Sequence, residues 1–252
     1  MNILIYLLFS ITLFFAQNDT ITVSGNDLNI RYLRNVKSQY VSYYKKNTDS
    51  SPEKITLINF DVQLKTLFSR RVIEINQQWN MDTLIHKATS VLDQSDFSTL
   101  LYEYYWKRSG YSVKFDFLDK VITYDKPIPE SQRLKVETEF KKSLAQNTLN
   151  WHSDIVLLPL LDFKENRVFK ITFYEAGFGD AQDVIYTVIG TEELLLSSGK
   201  RVVCWLLENK EDSQSANYSR FWISKESREL MKEEDFFGRY RYKLKLLIAD
   251  GN

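Results

Sequence analysis

Apolar and polar residues alternate with a period of two along much of this chain, most regularly near its end. From Arg239 to Leu246 the even positions are Tyr240, Tyr242, Leu244 and Leu246, and the odd ones Arg239, Arg241, Lys243 and Lys245. Successive side chains of a strand point to opposite faces, so the pattern predicts a half-buried antiparallel strand. Its aromatic face is expected inward and its cations in solvent, where they would also discourage edge-to-edge pairing.

The same period recurs upstream. Leu28–Tyr32 alternates, Tyr40–Tyr44 is an aromatic run, and Asn47–Pro52 is a turn cluster. Ile55–Val62 and Arg71–Trp79 read as strands, the latter with Arg71, Ile73, Ile75, Gln77 and Trp79 on one face and Val72 and Glu74 on the other. Asp82–Leu92 fits either a strand, with Leu84, His86 and Ala88 on one face, or a helix. Leu100, Tyr102, Tyr104 and Trp106, the turn Arg108-Ser109-Gly110, then Tyr111, Val113, Phe115 and Phe117 form a hairpin pattern. Val121–Tyr124 adds a short strand before Pro127 and Pro129.

Between Glu130 and Leu161 the period changes. Val136, Phe140 and Leu144 recur every four residues, which predicts one amphipathic helix of about four turns. Asn147 and Asn150 are stops, and Ser153 or Asp154 caps a brief second helix ended by Pro159. Strands then resume. Phe169, Ile171 and Phe173 share a face, and Gly177 and Gly179 make a turn. Val184–Ile189 and Arg201–Leu207, separated by the turn Ser197–Lys200, are apolar on both faces, as in a packed sheet or barrel wall. The loop Glu208–Asn217, the strand Tyr218–Ser224 and the turn Lys225-Glu226-Ser227 complete the series. The expected architecture is mainly β: a curved antiparallel sheet, barrel or half-barrel, with one or two short helices around residues 131–158. By region, residues 17–128 are an N-terminal β region, 129–161 a helical connector and 162–252 a C-terminal β region. The two β regions stand apart or join in one domain.

Composition supports sheet over helix. Aromatic residues make up 14% of 252 residues, and hydrophobic residues 44%, enough for a sizeable core. Residues 1–16 read as a signal peptide: about thirteen apolar residues from Ile3 to Phe15 suit a secretory segment but are short for a membrane span. The mature chain is then exported, periplasmic or extracellular, and peripheral to a membrane at most, with no transmembrane segment. Lys plus Arg and Asp plus Glu number 33 each, so no field of one sign argues for nucleic acid. The one cysteine, Cys204, sits in an apolar run and reads as a buried, inert thiol.

Catalytic chemistry finds little to stand on. The two histidines, His86 and His152, belong to no metal-ligand cluster, and pairing them with Asp154 would need the fold to join the two halves. His152-Ser153-Asp154 names triad residues, yet sequence neighbours point apart. Glu192-Glu193 and Glu233-Glu234 are adjacent and would face opposite ways in a strand. No catalytic residue, metal site or cofactor is expected. The positive signal is aromatic: Tyr104, Trp106, Tyr186, Trp205, Trp222 and Tyr240 are spaced to line sheet faces, where they would border an apolar cavity, stack on sugars, or fill the core.

Tyr186-Thr187-Val188-Ile189-Gly190-Thr191-Glu192, Val203-Cys204-Trp205, Phe221–Lys225 and Leu230–Glu233 together resemble a family of exported bacterial proteins known only as a domain of unknown function. The shared pattern is Y-x-V-x-G-x-E, a hydrophobic strand, a W-x-S strand and a basic–acidic strand, over residues 150–248 and more faintly before them. The resemblance implies a curved antiparallel sheet or half-barrel in the cell envelope and brings no catalytic residue. The G-x-W of lipocalins is not found. The expectation is an exported, non-enzymatic envelope protein that binds an apolar or lipid-like ligand. A carbohydrate-binding or scaffold module with an envelope partner comes second, and a hydrolase third.

Overall fold

A computed structural model describes residues 20–67, 69–196, 199–210 and 214–246. The expected signal segment lies outside the described residues. Among them the strands form one sheet. The first strand, β1, is Thr20–Val23, and β2 to β8 are Val36–Lys45, Glu53–Leu67, Arg70–Asn80, Leu84–Asp93, Thr99–Trp106, Tyr111–Asp116 and Val121–Tyr124. Helix α1 (Glu130–Ser143), strand β9 (Leu149–Asn150) and the short helix α2 (Asp154–Leu157) follow. The series ends with β10 to β15: Val168–Tyr174, Gln182–Leu195, Arg201–Lys210, Tyr218–Ser224, Leu230–Phe236 and Tyr240–Leu246.

In space the order is β1-β10-β11-β12-β13-β14-β15-β2-β3-β4-β5-β6-β7-β8, with β9 also on β10. Two antiparallel meanders are thus joined where β15 pairs with β2, and only β1 and β9 run parallel to their neighbour. Register shifts at Ser42/Tyr44, Trp79/Asn80, Val91/Leu92, Val188/Gly190 and Trp222/Ile223 mark bulges, which sharpen twist and bend strands. The result is an open, curved, mostly antiparallel sheet.

The expected helices form close to their predicted places. Ser153 precedes α2, and Pro159 falls in a helical turn over Leu158–Leu160. Asp82–Leu92 resolves as strand β5. Leu28–Tyr32 does not form a strand: two 3-10 turns, Gly25–Asp27 and Ile30–Tyr32, occupy that stretch. Asn29 there gives its N–H to Leu160 O (2.8 Å), so the local hydrogen bond goes to the connector, not to a sheet edge.

That connector is the centre of the molecule. Leu149, Ile155, Leu157, Leu158, Leu160, Leu161 and Phe163 pack in one cluster with the inner faces of both meanders, among them Tyr40, Phe60, Ile75, Phe169, Tyr186, Leu207 and Phe221. Each large apolar side chain so buried contributes about 1.5–3 kcal/mol, so the sheet is held curled largely by what it surrounds. We call residues 149–163 the plug. Helix α1 packs between two parts of the curl: Val136 and Phe140 share one buried cluster with Tyr102, Val113 and Phe115 of β6–β7 and with Tyr174 and Ala176 at and just after the end of β10.

Candidate ligand-binding site

The two ends of the curl differ in chemistry. At one end the interior is polar. Tyr102 Oη lies 2.9 Å from His152 Nδ1, Glu175 Oε1 lies 3.6 Å from the same nitrogen, and the His86 and His152 rings sit 5.3 Å apart. The curl therefore brings the two histidines together, with Glu175 in the place imagined for Asp154. His86 donates from Nδ1 to Tyr105 O (3.0 Å) and stacks on Trp106 at 3.8 Å. Burial pushes His86 down to about 4 and His152 to about 3, the latter helped by His86 and Lys243. Burial, then the charge of Asp154, lifts Glu175 to about 7. Among the described residues no group of three or more His, Cys, Asp or Glu side chains is placed to hold a metal ion.

Beside this cluster the cations of β15 face inward, which corrects the expected solvated row. Lys243 (7% exposed) pairs with Glu233 (3%). Arg241 bridges Glu233 (2.6 Å) and Asp235 (2.5 Å), itself 2% exposed. The reason is register: Lys243 lies opposite Glu233 and Arg241 opposite Asp235, so two charged rows match across the strands. Glu233, Asp235 and Lys243 are desolvated and Glu233 is shared between Lys243 and Arg241, an arrangement whose cost of disruption exceeds its net gain. Asp154 of α2 faces the same group and is held above the usual carboxylate range by burial, against the pull of Lys243.

The other end is apolar within and cationic at its rim. Between the plug (Ile155, Val156, Pro159, Leu160) and β2–β3 (Val36, Tyr40, Phe60, Val62) lies a cleft of about 60 Å³, with Arg34, Arg228, Glu229 and Leu230 at its margin. A ladder of alternating rings and cations runs beside it. Lys225 lies over Trp205 (3.9 Å), and Trp205 stacks on Phe163 (5.9 Å, 10° between planes). Arg228 sits over both Phe163 (5.2 Å) and Tyr32 (4.5 Å), and Arg31 over Tyr32 (4.7 Å). Arg228 holds φ at 51°, a left-handed conformation that costs a non-glycine residue about 1 kcal/mol or more and is tolerated where the surroundings enforce it. Its Nη1 donates to Leu161 O (3.2 Å), while its Nε is buried without a hydrogen-bond partner.

The six aromatic residues singled out from the sequence divide among separate places. Tyr104 is core, against Tyr102 and Phe115, and its hydroxyl abuts Gly177, where an added Cβ would stand 2.4 Å from it. Trp106 belongs to the polar end. Tyr186 is core between Phe173 and Phe221. Trp205 forms part of the ladder beside the cleft. Trp222 and Tyr240 lie on the outer face, where Trp222 is still buried (3% exposed) in a small cluster with Cys204 and Met231. Trp222 is covered by Lys232 (4.0 Å), and Tyr240 lies in a row of contacting rings with Phe236 (4.9 Å) and Tyr242 (5.9 Å). The cleft residues Arg34, Arg228, Tyr32 and Val156 were not marked in the sequence as site residues: Tyr32 ends the alternating run Leu28–Tyr32, Val156 lies in the expected second helix, and Arg228 follows the predicted turn Lys225–Ser227.

Fold and cleft define a curled antiparallel sheet wrapped on an internal helical plug, open to solvent chemistry at a basic rim. The chain belongs to the DUF3108 family, described as proteins of unknown function, whose model matches residues 39–245. That span takes in the earlier strands as well as the region of the expected resemblance. No curated protein matches the chain. Two solved structures are similar over most of their length. A β-barrel-like protein of the domain of unknown function DUF1849 from Brucella abortus has 10% identity and a TM-score of 0.38, with 83% of this chain and 94% of that one covered. A DUF1329 family protein from Desulfovibrio piger has 9% identity and a TM-score of 0.28, with 88% and 90% covered.

Proposed function

We propose that this is an exported, non-catalytic envelope protein that holds an apolar, lipid-like ligand between its plug and strands β2–β3. The observation that carries this reading is the cleft itself. Its walls are aliphatic and aromatic, and one of them is the plug, a segment bound to the sheet by packed side chains more than by a strand ladder. As it stands the cleft has room for about two water volumes, so an acyl chain enters by displacing Ile155–Leu160 from β2–β3. Such a chain would exchange its methylenes for the plug's own apolar contacts at little net cost in buried area. Export rests on the apolar leader at residues 1–16, and N-terminal sequencing of protein recovered from the periplasm is expected to start near Gln17.

The test fills the cleft. Val156→Trp adds bulk at the plug face and is expected to lower the affinity for a fluorescent fatty-alcohol probe by about tenfold or more while leaving thermal unfolding within a few degrees of wild type. Undiminished binding would remove the cleft from consideration. The second reading, a surface that stacks on sugars, draws on the outer ring series Tyr43–Tyr242–Tyr240–Phe236–Tyr218. Oligosaccharide binding lost in Tyr240→Ala but kept in Val156→Trp would favour it.

A further inference from the structure

The cleft's rim is charged in a way its walls do not require. Around its mouth stand Arg31, Arg34, Arg228 and Lys245, and against them a single acid among the groups paired there, Glu229. Glu229 is already shared: Arg34 approaches it at 3.4 Å and Lys245 at 2.5 Å. Arg228 makes no ion pair there. Its guanidinium is clamped between Tyr32 and Phe163, with one N–H spent on Leu161 O and Nε buried without a partner. The surplus of positive charge is felt locally. Burial would raise the Tyr32 hydroxyl, yet the hydrogen bonds it receives from Arg31 (2.7 Å) and Arg228 and the charges of both leave it below its ordinary value. A planar guanidinium stacked on rings is preorganised to receive a carboxylate or phosphate without losing side-chain freedom at that moment. The chain as a whole carries 33 basic and 33 acidic residues, so this excess is a property of the site and not of the molecule.

We propose that the cleft takes a single-chain amphiphile with an anionic headgroup, held by Arg228 and Arg34 at the rim while its chain lies between the plug and β2–β3. This rests on the apolar-ligand reading above and adds the ligand's polar end. Carboxylate and phosphate share the required chemistry: negative oxygens spaced for a guanidinium fork.

The experiment compares three probes of one chain length on the mature protein: oleate, oleyl phosphate and oleyl alcohol, each below its aggregation threshold. At least one anion is expected to bind about tenfold or more tightly than the alcohol, with the difference shrinking as salt rises. Which anion binds better tells a fatty acid from a phosphorylated lipid. In Arg34→Gln/Arg228→Gln the preference is expected to collapse with alcohol binding retained, which also shows that the variant folds. Arg228→Lys keeps part of the preference, and Glu229→Gln, which frees Arg34, strengthens anion binding. Equal affinity for anion and alcohol, or a preference that survives the double substitution, overturns the headgroup assignment and leaves the apolar cleft standing. If none of the three binds, both fall together.

Discussion

Glu175 and the two histidines place opposite demands on pH. His86 and His152 are pushed well below the ordinary 6.5, so below that value the unfolded chain binds protons that the folded one refuses, and stability falls as pH drops from about 6.5 toward 4. Glu175 is raised from 4.5 to about 7, so its contribution is full below 4.5 and is lost as pH rises through 7. The full shift would correspond to about 3 kcal/mol, but the side chain keeps 30% of its exposure, which brings the expectation to about 1–2 kcal/mol. Glu175→Gln mimics the protonated form. In urea titrations wild type and variant should match at about pH 4 or below, with the variant more stable by that amount at pH 8. Parallel pH profiles would mean that Glu175 is solvated in both forms.

At the scale of elements, alternation tells which residues share a face but not which face turns inward. In β15 the aromatic series Tyr240–Tyr242 went outside because Glu233 and Asp235 wait across the ladder for Lys243 and Arg241. The clue was present in the acidic run Glu233-Glu234-Asp235 of β14, but only pairing of the two strands makes it readable. Lys243→Met should therefore cost about 3 kcal/mol or more in denaturant unfolding, since it leaves the buried carboxylates of Glu233, Asp235 and Asp154 with Arg241 as their one remaining cation. Lys87→Met, on an exposed position of β5, should change almost nothing. Lys243→Met/Glu233→Met, which removes both charges, should recover much of the loss. If the single Lys243 substitution is as mild as that of Lys87, the buried network is not what holds β14 to β15. The plug was visible as a short helix capped near Ser153 and stopped near Pro159. Its place inside the curl was not, because Ile155–Leu161 is apolar on every side and no period betrays which surfaces cover it.

For the whole molecule, the strand pattern announced a curved antiparallel sheet, whereas the joining of β15 to β2 is a long-range pairing no local signal encodes. That closure turns the chain's middle into the molecule's interior, and it also decides how a ligand gets in. Polar anchors fix the plug's first half: His152 lies against Tyr102, its carbonyl accepts from Gln77, and Asp154 faces Lys243. Its second half, Ile155–Leu160, rests on apolar side chains and on Asn29 N–H to Leu160 O. Entry of a chain should therefore pivot the second half about the first, without opening the sheet. Hydrogen exchange checks this. Saturation with oleate should speed exchange of amides over residues 155–161 while those of the curved sheet in β3–β4 and β11–β12 stay as protected as before. Slowed exchange across the plug would place the ligand on an unmoved surface. Faster exchange throughout those strands would mean that the sheet itself opens, and the plug would then be part of the core and not a door.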